Sequence, residues 1–321
     1  MPSTLSRAAL PALLLATAVA LTGCGAASAE PAADVAQADR PADVTVEHAQ
    51  GETVVPFAPK TVVTFDMASL DTLDALGVTV AALPQESVPS YLSEYAGEEY
   101  ENVGTLFEPD YEAVNALAPD LIIVANRSAS AYPELSKIAP TIDLTLDWAD
   151  YLGSFSDNVE TLGEVFGKED QAAAELAAIE EKITETKEQV ADAGNALVLL
   201  TNAGEMTAFG PGSRFGWLHE ELGVTPVIED VEAATHGDPV SNEFVLDANP
   251  DWLLVLDRDA AVGTEGGASA EALLDNDLVR QTTAWQEDQV VYLDSETWYV
   301  VMSGLTAVNA MVDEIAGSVA S

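Results

Sequence analysis

Residues 112–127 read EAVNALAPDLIIVANR, and residues 243–258 read EFVLDANPDWLLVLDR. In both stretches a proline stands seven positions after the glutamate that opens the stretch, and an aspartate and an apolar run follow it. An arginine stands fifteen positions after the same glutamate. Each stretch predicts a helix that ends at proline and a buried strand with an arginine at its carboxyl end. The matched spacing predicts two similar lobes, although a helix, Pro-Asp and a strand in succession also occur by chance in α/β proteins.

Apolar runs alternate with segments of helical period along both halves of the chain. Strands are predicted at 61–65, 80–84, 121–125, 196–202, 252–257 and 290–294. Helices are predicted at 69–78, 111–120, 132–140, 214–224, 244–251 and 272–280. Such an alternation is typical of βαβ units with parallel strands.

A long charged segment, 168–194, lies between the two halves. It contains no proline, and its only glycine is the last residue. Leu176, Ile179, Ile183 and Val190 recur at helical spacing, which predicts one helix of about 25 residues and roughly 38 Å. We therefore expect an α/β protein with two Rossmann-like lobes joined by one long helix and a ligand cleft between the lobes. The predicted boundaries are 45–165 for the N-terminal lobe, 166–194 for the linking helix and 195–321 for the C-terminal lobe.

The N-terminus predicts export. Residues 8–21 are apolar or small, a length that suits a signal-peptide core and is too short for a membrane span. They lead into Leu21-Thr22-Gly23-Cys24, which matches the bacterial lipobox, and Cys24 is the only cysteine. We expect a signal peptide at 1–23, a lipidated Cys24 and a flexible tether over 24–44, which anchor an extracytoplasmic protein to the cell membrane. The alternative is an ordinary signal peptide with a chance cysteine.

The charge of the chain restricts its partners. With 55 acidic and 11 basic residues the formal net charge is −44. A surface this acidic argues against nucleic acid as a partner, because phosphate binding needs basic patches. The three scattered histidines also argue against a multi-histidine metal site.

Arginines are rare, so their positions are informative. Only five follow the predicted signal peptide: Arg40, Arg127, Arg214, Arg258 and Arg280. Arg127 and Arg258 stand at the carboxyl ends of predicted strands, where ligands bind in open parallel sheets. Arg214 lies in the glycine-rich turn 210–216, just before a predicted helix. We expect the three to meet in one cleft, although each alone could form a surface salt bridge.

Three guanidinium groups suit a large anion with delocalised charge. Guanidinium is planar and weakly hydrated, and it both donates hydrogen bonds to oxygens and stacks on aromatic rings. A ferric tris-catecholate complex offers charge, oxygens and ring faces together, whereas a neutral ferric hydroxamate would leave the charges unused.

Four further residues are candidates for binding or docking. His236 lies in a polar loop and Tyr299 follows a predicted strand. Both are side chains that ferric iron accepts, if the ligand leaves coordination sites open, although a lone loop histidine is more often structural. Glu112 and Glu243 open equivalent helices, where they either offset the helix dipole or form a matched acidic pair for a membrane partner.

Several motifs carry a family resemblance. They are TLFEPDYE at 105–112, SKIAPT at 136–141, FGPGSRFG at 209–216, THG at 235–237 and DNDLV at 275–279. Over 45–318 the chain resembles the siderophore-binding lipoproteins of ABC iron importers, in the subgroup for ferric catecholates and petrobactin. The resemblance implies the class III binding-protein fold. We also expect a monomer without an intrinsic cofactor.

The resemblance also implies roles for single residues. Arg127, Arg214 and Arg258 would clamp the ferric siderophore. His236 and Tyr299 would complete the iron shell of a tetradentate ligand. Glu112 and Glu243 would meet arginines of the permease, with Glu108 as a competitor for the first position.

Other ligands and classes stay open. Another iron-group ligand, such as ferric citrate, haem or cobalamin, would also fit an anion cleft. An exported hydrolase or dehydrogenase is disfavoured, because the glycines of 210–216 do not match a dinucleotide loop and no Gly-x-Ser-x-Gly motif occurs. A passive surface adhesin would not require the matched glutamate and arginine repeat. We therefore expect a binding protein and no enzyme activity.

Overall fold

Strands and helices alternate through residues 42–228, 237–263 and 268–319, which the computed structural model describes. The strands are β1 (Asp43–His48), β2 (Gly51–Pro56), β3 (Val62–Thr64), β4 (Ala82–Leu83), β5 (Glu101–Asn102), β6 (Leu121–Val124), β7 (Thr141–Asp143), β8 (Asn195–Asn202), β9 (Glu205–Phe209), β10 (Thr225–Pro226), β11 (Asp238–Val240), β12 (Trp252–Asp257) and β13 (Val290–Tyr292). The α-helices are α1 (Met67–Ala75), α2 (Tyr111–Leu117), α3 (Tyr132–Leu135), α4 (Tyr151–Phe166), α5 (Glu169–Val190), α6 (Trp217–Glu220), α7 (Asn242–Ala248), α8 (Arg258–Ala261), α9 (Ala270–Leu274), α10 (Thr283–Gln286) and α11 (Leu305–Val319).

Two separate sheets form the framework of two lobes. The N-terminal sheet has the order β5-β4-β3-β6-β7, and all its neighbours are parallel. The C-terminal sheet has the order β11-β9-β8-β12-β13, with β10 beside β8. The predicted fold class, two α/β lobes joined by a long helix, is confirmed.

One edge of the C-terminal sheet differs from the expected parallel arrangement. Strands β9 and β11 are antiparallel to their neighbours. The cause is a two-residue turn after β8, in which Ala203 and Gly204 both have positive φ angles of 51° and 80°. Positive φ at both positions gives the turn whose twist suits a tight antiparallel hairpin. The chain therefore reverses direction here without a crossover helix.

A second hairpin, β1–β2, precedes the N-terminal sheet. Strand β1 begins at Asp43, and Val44 is 4% exposed. Asp43 and Val44 were predicted to end the tether. They belong instead to strand β1, because the side chain of Val44 is buried in the core. The remaining predicted tether and the signal peptide lie outside the described residues, and the other domain boundaries stay predictions.

The linking helix is α5, which has 22 residues. Helix α4 ends at Gly167, which has a positive φ of 65°, and α5 begins two residues later, after Lys168. Its buried positions recur at intervals of three and four residues: Ala172, Leu176, Ile179, Ile183, Thr186 and Val190. This stripe packs against α4 and α11. The helix is therefore held along its length by both neighbours, as an amphipathic stripe requires.

The internal repeat predicted from the sequence is structural. Helices α2 and α7 both have seven residues and end at a residue with left-handed backbone, Ala118 and Asn249. Asp120 accepts hydrogen bonds from the backbone N–H groups of Lys60 and Thr61, both at 2.9 Å. In the second copy Asp251 accepts one from Asn195 at 2.9 Å. The Pro-Asp pair thus ends the helix and fixes the start of the neighbouring strand in each lobe.

Asp71 of α1 connects the N-terminal lobe to the last helix. It is buried, and its carboxylate accepts hydrogen bonds from the backbone N–H groups of Thr306, at 2.7 Å, and Ala307, at 3.2 Å. The hydroxyl of Tyr91 donates to the same carboxylate. Asp71 therefore caps the first turn of α11, where N–H groups lack partners within the helix.

The pH dependence of stability is expected to reveal the burial of this carboxylate. Burial raises the pKa of Asp71 to about 6, against an ordinary value of about 4. An ionised Asp71 thus lowers stability at neutral pH, and protonation relieves this as the pH falls through 6. Relative to Asp71→Asn, the wild-type protein should gain roughly 1 kcal/mol of unfolding free energy between pH 7.5 and pH 5. Urea unfolding at both pH values measures this, and parallel profiles for the two proteins would contradict it.

Candidate ligand-binding site

Arg127 extends from the N-terminal lobe to the C-terminal lobe. It lies three residues after β6, in a turn that Asn126 opens with a positive φ of 45°. Its guanidinium donates to the backbone carbonyls of Val300, at 3.0 Å, and Tyr299. A side chain at the carboxyl end of one sheet thus holds the backbone of the other lobe.

Arg258 occupies the matching position in the C-terminal lobe, directly after β12. Its Nε donates to the hydroxyl of Tyr299 at 2.8 Å, and its Nη1 donates to Oδ1 of Asn202 at 3.0 Å. Asn202 ends β8, the neighbouring strand. Both strand ends therefore contribute to the same site, as expected for adjacent parallel strands.

Arg214 enters the site from the glycine-rich turn between β9 and α6. The turn is tight, because a Cβ at Gly216 would lie 2.7 Å from the backbone nitrogen of Gly212. The guanidinium contacts the sulfur of Met302 at 2.8 Å, while its Nε is shielded from solvent and has no hydrogen-bond partner in the described part of the chain. Three aromatic rings surround it, with centroids at 4.8 Å for Tyr299, 4.9 Å for Phe215 and 6.0 Å for Trp148.

Tyr299 lies at the centre of the three arginines. The guanidinium carbons of Arg214, Arg127 and Arg258 are 4.8, 5.2 and 5.7 Å from the centroid of its ring. Burial pushes the pKa of Tyr299 upward, but the hydrogen bond from Arg258 and the three positive charges outweigh it, so the pKa lies below its ordinary value. The cluster of Arg127, Arg214, Arg258 and Tyr299 is called the arginine cluster below.

Among the residues that the structure describes, no carboxylate forms an ion pair with an arginine of the arginine cluster. Within the described part of the chain, the ion pairs join Lys137 to Glu134, Lys182 to Asp313, and Arg280 to Asp275 and Asp277. Asp66 is close enough to Arg127 for their charges to interact. Its carboxylate, however, caps α1 by accepting hydrogen bonds from Ser69, and burial raises the pKa of Asp66. Burial, together with the positive charge of Arg127, lowers the pKa of Arg214 to about 10. A strongly positive site therefore exists in a very acidic protein.

Two cavities adjoin the arginine cluster. The larger, about 510 Å³, is bordered by Arg127 and Tyr299, by apolar side chains that include Phe107, which is 69% exposed, and by Glu86 and Glu296. The smaller, about 230 Å³, is bordered by Arg214, Arg258 and Tyr299. Pockets of several hundred Å³ are typical of sites for small molecules. Open space therefore lies beside all three guanidiniums, divided between two cavities.

A stack of aromatic rings, not predicted from the sequence, lies next to the cluster. Trp148, Tyr151, Trp217 and Trp298 follow one another with centroid distances of 6.4, 4.9 and 5.3 Å and interplanar angles of 21° or less. The first two belong to the N-terminal half and the last two to the C-terminal half. The stack therefore contributes to packing across the lobes and places tryptophans near the ligand site.

The remaining predicted residues lie elsewhere. Glu112 and Glu243 are exposed in the first turns of α2 and α7, away from both cavities. His236 and Cys24 lie outside the described residues. In the described ranges, no group of three or more His, Cys, Asp and Glu side chains could hold a metal ion. No described helix has the length and apolar character needed to cross a membrane.

Comparison with known proteins agrees with the architecture. The sequence profile of the family described as "Periplasmic binding protein" matches residues 62–297. The chain belongs to this family. The match spans both sheets and the linking helix, and it includes the arginine cluster except for Tyr299.

Three relatives are similar over nearly the whole chain. The petrobactin-binding protein YclQ of Bacillus subtilis is 41% identical, with 94% of this chain and 96% of YclQ covered. Its crystal structure matches 86% of this chain and 98% of the solved chain with a TM-score of 0.84. The ferric-anguibactin-binding protein FatB of Vibrio anguillarum is 35% identical, with 95% of both chains covered. The catecholate-siderophore-binding protein VctP of Vibrio cholerae has 33% identity and a TM-score of 0.81, over 86% of this chain and all of VctP.

Proposed function

We propose that this protein is an extracytoplasmic substrate-binding lipoprotein that captures an anionic ferric siderophore of catecholate or mixed catecholate type and delivers it to an ABC permease. The observation that carries the proposal is the arginine cluster, in which three guanidiniums surround one ring and form no ion pair with a carboxylate of the described ranges.

The chemistry of the cluster favours a polyanionic chelate with aromatic groups. Each guanidinium is desolvated in part, so a charge-assisted hydrogen bond to a catecholate oxygen would be stronger than one in water. The ring of Tyr299 already contacts each guanidinium, and its hydroxyl accepts a hydrogen bond from Arg258. A ferric catecholate would repeat these contacts and add negative charge.

The relatives support the same ligand class. YclQ is named for petrobactin, FatB for ferric anguibactin and VctP for catecholate siderophores. For a ligand that leaves iron sites open, His236 and Tyr299 are the proposed metal ligands. Cys24 is the proposed lipid-anchor site, and Glu112 with Glu243 are the proposed contacts to the permease.

Fluorescence titration tests the ligand class. Trp298 is adjacent in sequence to Tyr299 and stacks on Trp217, so a bound ferric complex is expected to quench emission. We expect saturable quenching by a ferric tris-catecholate and none by a neutral ferric hydroxamate. Ferric citrate, haem and cobalamin complete the panel. Tight binding of the hydroxamate or of one of these three, without a response to the catecholate, would overturn the proposed ligand.

A further inference from the structure

Tyr299 separates the arginines from one another. Arg127 borders only the larger cavity, whereas Arg214 and Arg258 border only the smaller one, and Tyr299 borders both. Neither cavity therefore reaches all three guanidiniums. At about 230 Å³ the smaller one also lies below the usual size of a pocket for a drug-sized ligand.

The ring of Tyr299 contacts all three guanidiniums. Each guanidinium carbon lies within 5.7 Å of the ring centroid, a distance at which cations are attracted to the face of an aromatic ring. The hydroxyl accepts a hydrogen bond from Arg258. Tyr299 thus supplies part of what an anionic aromatic ligand would supply.

The backbone that carries Tyr299 is unusual. Residues Glu296–Val301 form a π-helical turn, and the next residue, Met302, has a φ angle of 68°. Such turns and positive φ at a bulky residue persist only where the surroundings hold them. Arg127 is part of these surroundings, because it binds the carbonyls of Tyr299 and Val300. An arginine proposed to bind the ligand therefore also fixes the segment that bears the ring.

We infer that Tyr299 is an internal competitor for the three guanidiniums and thereby determines ligand specificity. A ligand reaches all three only when the ring leaves the centre of the cluster and the two cavities merge. Only a chelate that brings more negative charge than the phenol ring displaces it, so neutral complexes are rejected. This inference rests on the proposed function and specifies how the same site selects its ligand.

Association kinetics test the inference with a ferric tricatecholate of enterobactin type, whose iron has no open coordination site. If the ring is displaced in about a tenth of the ligand-free molecules, its removal should accelerate association about tenfold. We expect this acceleration in Tyr299→Ala, with a Kd equal to or below that of the wild type. Tyr299→Phe keeps the ring but loses the acceptor for Arg258, so its rate should be intermediate. Tyr292→Ala, on an exposed tyrosine of β13, is the control with an unchanged rate.

If Tyr299→Ala binds with an unchanged or slower association rate and a Kd raised tenfold or more, the ring is a direct ligand contact and the inference is wrong.

A second measurement needs no siderophore. Removal of the ring opens the guanidiniums to small anions, so sodium sulfate should raise the Tm of Tyr299→Ala more than that of the wild type, relative to sodium chloride at equal ionic strength. Equal shifts in both proteins would overturn the inference. A larger sulfate shift in the variant, combined with no binding of any ferric siderophore by the wild type, would instead leave Tyr299 as the competitor and overturn the proposed function.

Discussion

A strain that carries Glu112→Lys together with Glu243→Lys is expected to lose ferric siderophore uptake to the level of a deletion strain, while the purified variant keeps its ligand affinity. Both glutamates are exposed in the first turns of α2 and α7, the two copies of the internal repeat. The hydroxyl of Ser241 lowers the pKa of Glu243, which favours its charged form. Lysines at both positions would repel a basic docking surface on the permease, because like charges across an interface oppose association.

Two further double variants make this prediction specific. Glu175→Lys with Glu188→Lys changes the net charge equally, at exposed positions of α5, and should keep uptake. Glu108→Lys with Glu243→Lys tests the competing first position and should impair uptake less than the pair with Glu112. Uptake assays with labelled ferric siderophore measure all three strains. Normal uptake by the Glu112 and Glu243 strain would contradict the docking role.

Arg214→Met is expected to weaken ferric catecholate binding and to stabilise the ligand-free protein. The loss of one charged hydrogen-bond donor should raise Kd roughly 10- to 150-fold, or about 1.5–3 kcal/mol. The Nε of Arg214 has no hydrogen-bond partner among the described residues, and burial is the main cause that lowers the pKa of this guanidinium to about 10. The charged side chain therefore lowers stability throughout the neutral range, and an apolar chain of similar length removes this effect. We expect the unfolding free energy to rise by on the order of 1 kcal/mol.

The matched control for this variant is Arg280→Ala. Arg280 forms exposed ion pairs with Asp275 and Asp277, and exposed pairs contribute little to stability. Both Kd and Tm should therefore stay close to the wild-type values. Titration calorimetry and thermal unfolding measure the two quantities. Unchanged affinity in Arg214→Met, or a loss of stability without a loss of affinity, would contradict the role assigned to the buried guanidinium.

Local pattern was sufficient to predict much of the fold and part of the site. The repeat places Arg127 and Arg258 at equivalent strand ends, because helix length and strand start are fixed by Pro-Asp in both copies. The buried positions of α5 could also be predicted from the sequence, because buried positions on a helix recur every three or four residues. These features depend on residues close in the chain, so their spacing carries the information.

Contacts between distant parts of the chain could not be predicted from local sequence pattern. The hairpin after β8 depends on positive φ at Ala203, a residue that rarely marks such turns. The capping of α11 by Asp71 joins residues more than two hundred positions apart. The position of Tyr299 depends on a π-helical turn and on Arg127 from the other lobe. The family resemblance named Tyr299 as a ligand residue, but only the tertiary structure places its ring between the arginines.

The arginine cluster also explains how a protein of net charge −44 can hold an anion. At an ionic strength of about 0.15 M, charges beyond roughly 8 Å are largely screened, so the distant carboxylates contribute little at the site. The three guanidiniums all lie within 5.7 Å of the centre of one ring, so their positive charges are concentrated at the site. Local geometry therefore outweighs global charge once the ligand has entered the cleft.

A crystal structure of the protein with a ferric tris-catecholate tests the central claim most directly. The account predicts that the chelate lies between the lobes, that the guanidiniums of Arg127, Arg214 and Arg258 all donate hydrogen bonds to its oxygens, and that the ring of Tyr299 has left the centre of the cluster. A chelate bound elsewhere, or one held in the cleft while the three guanidiniums keep their present partners, would contradict it.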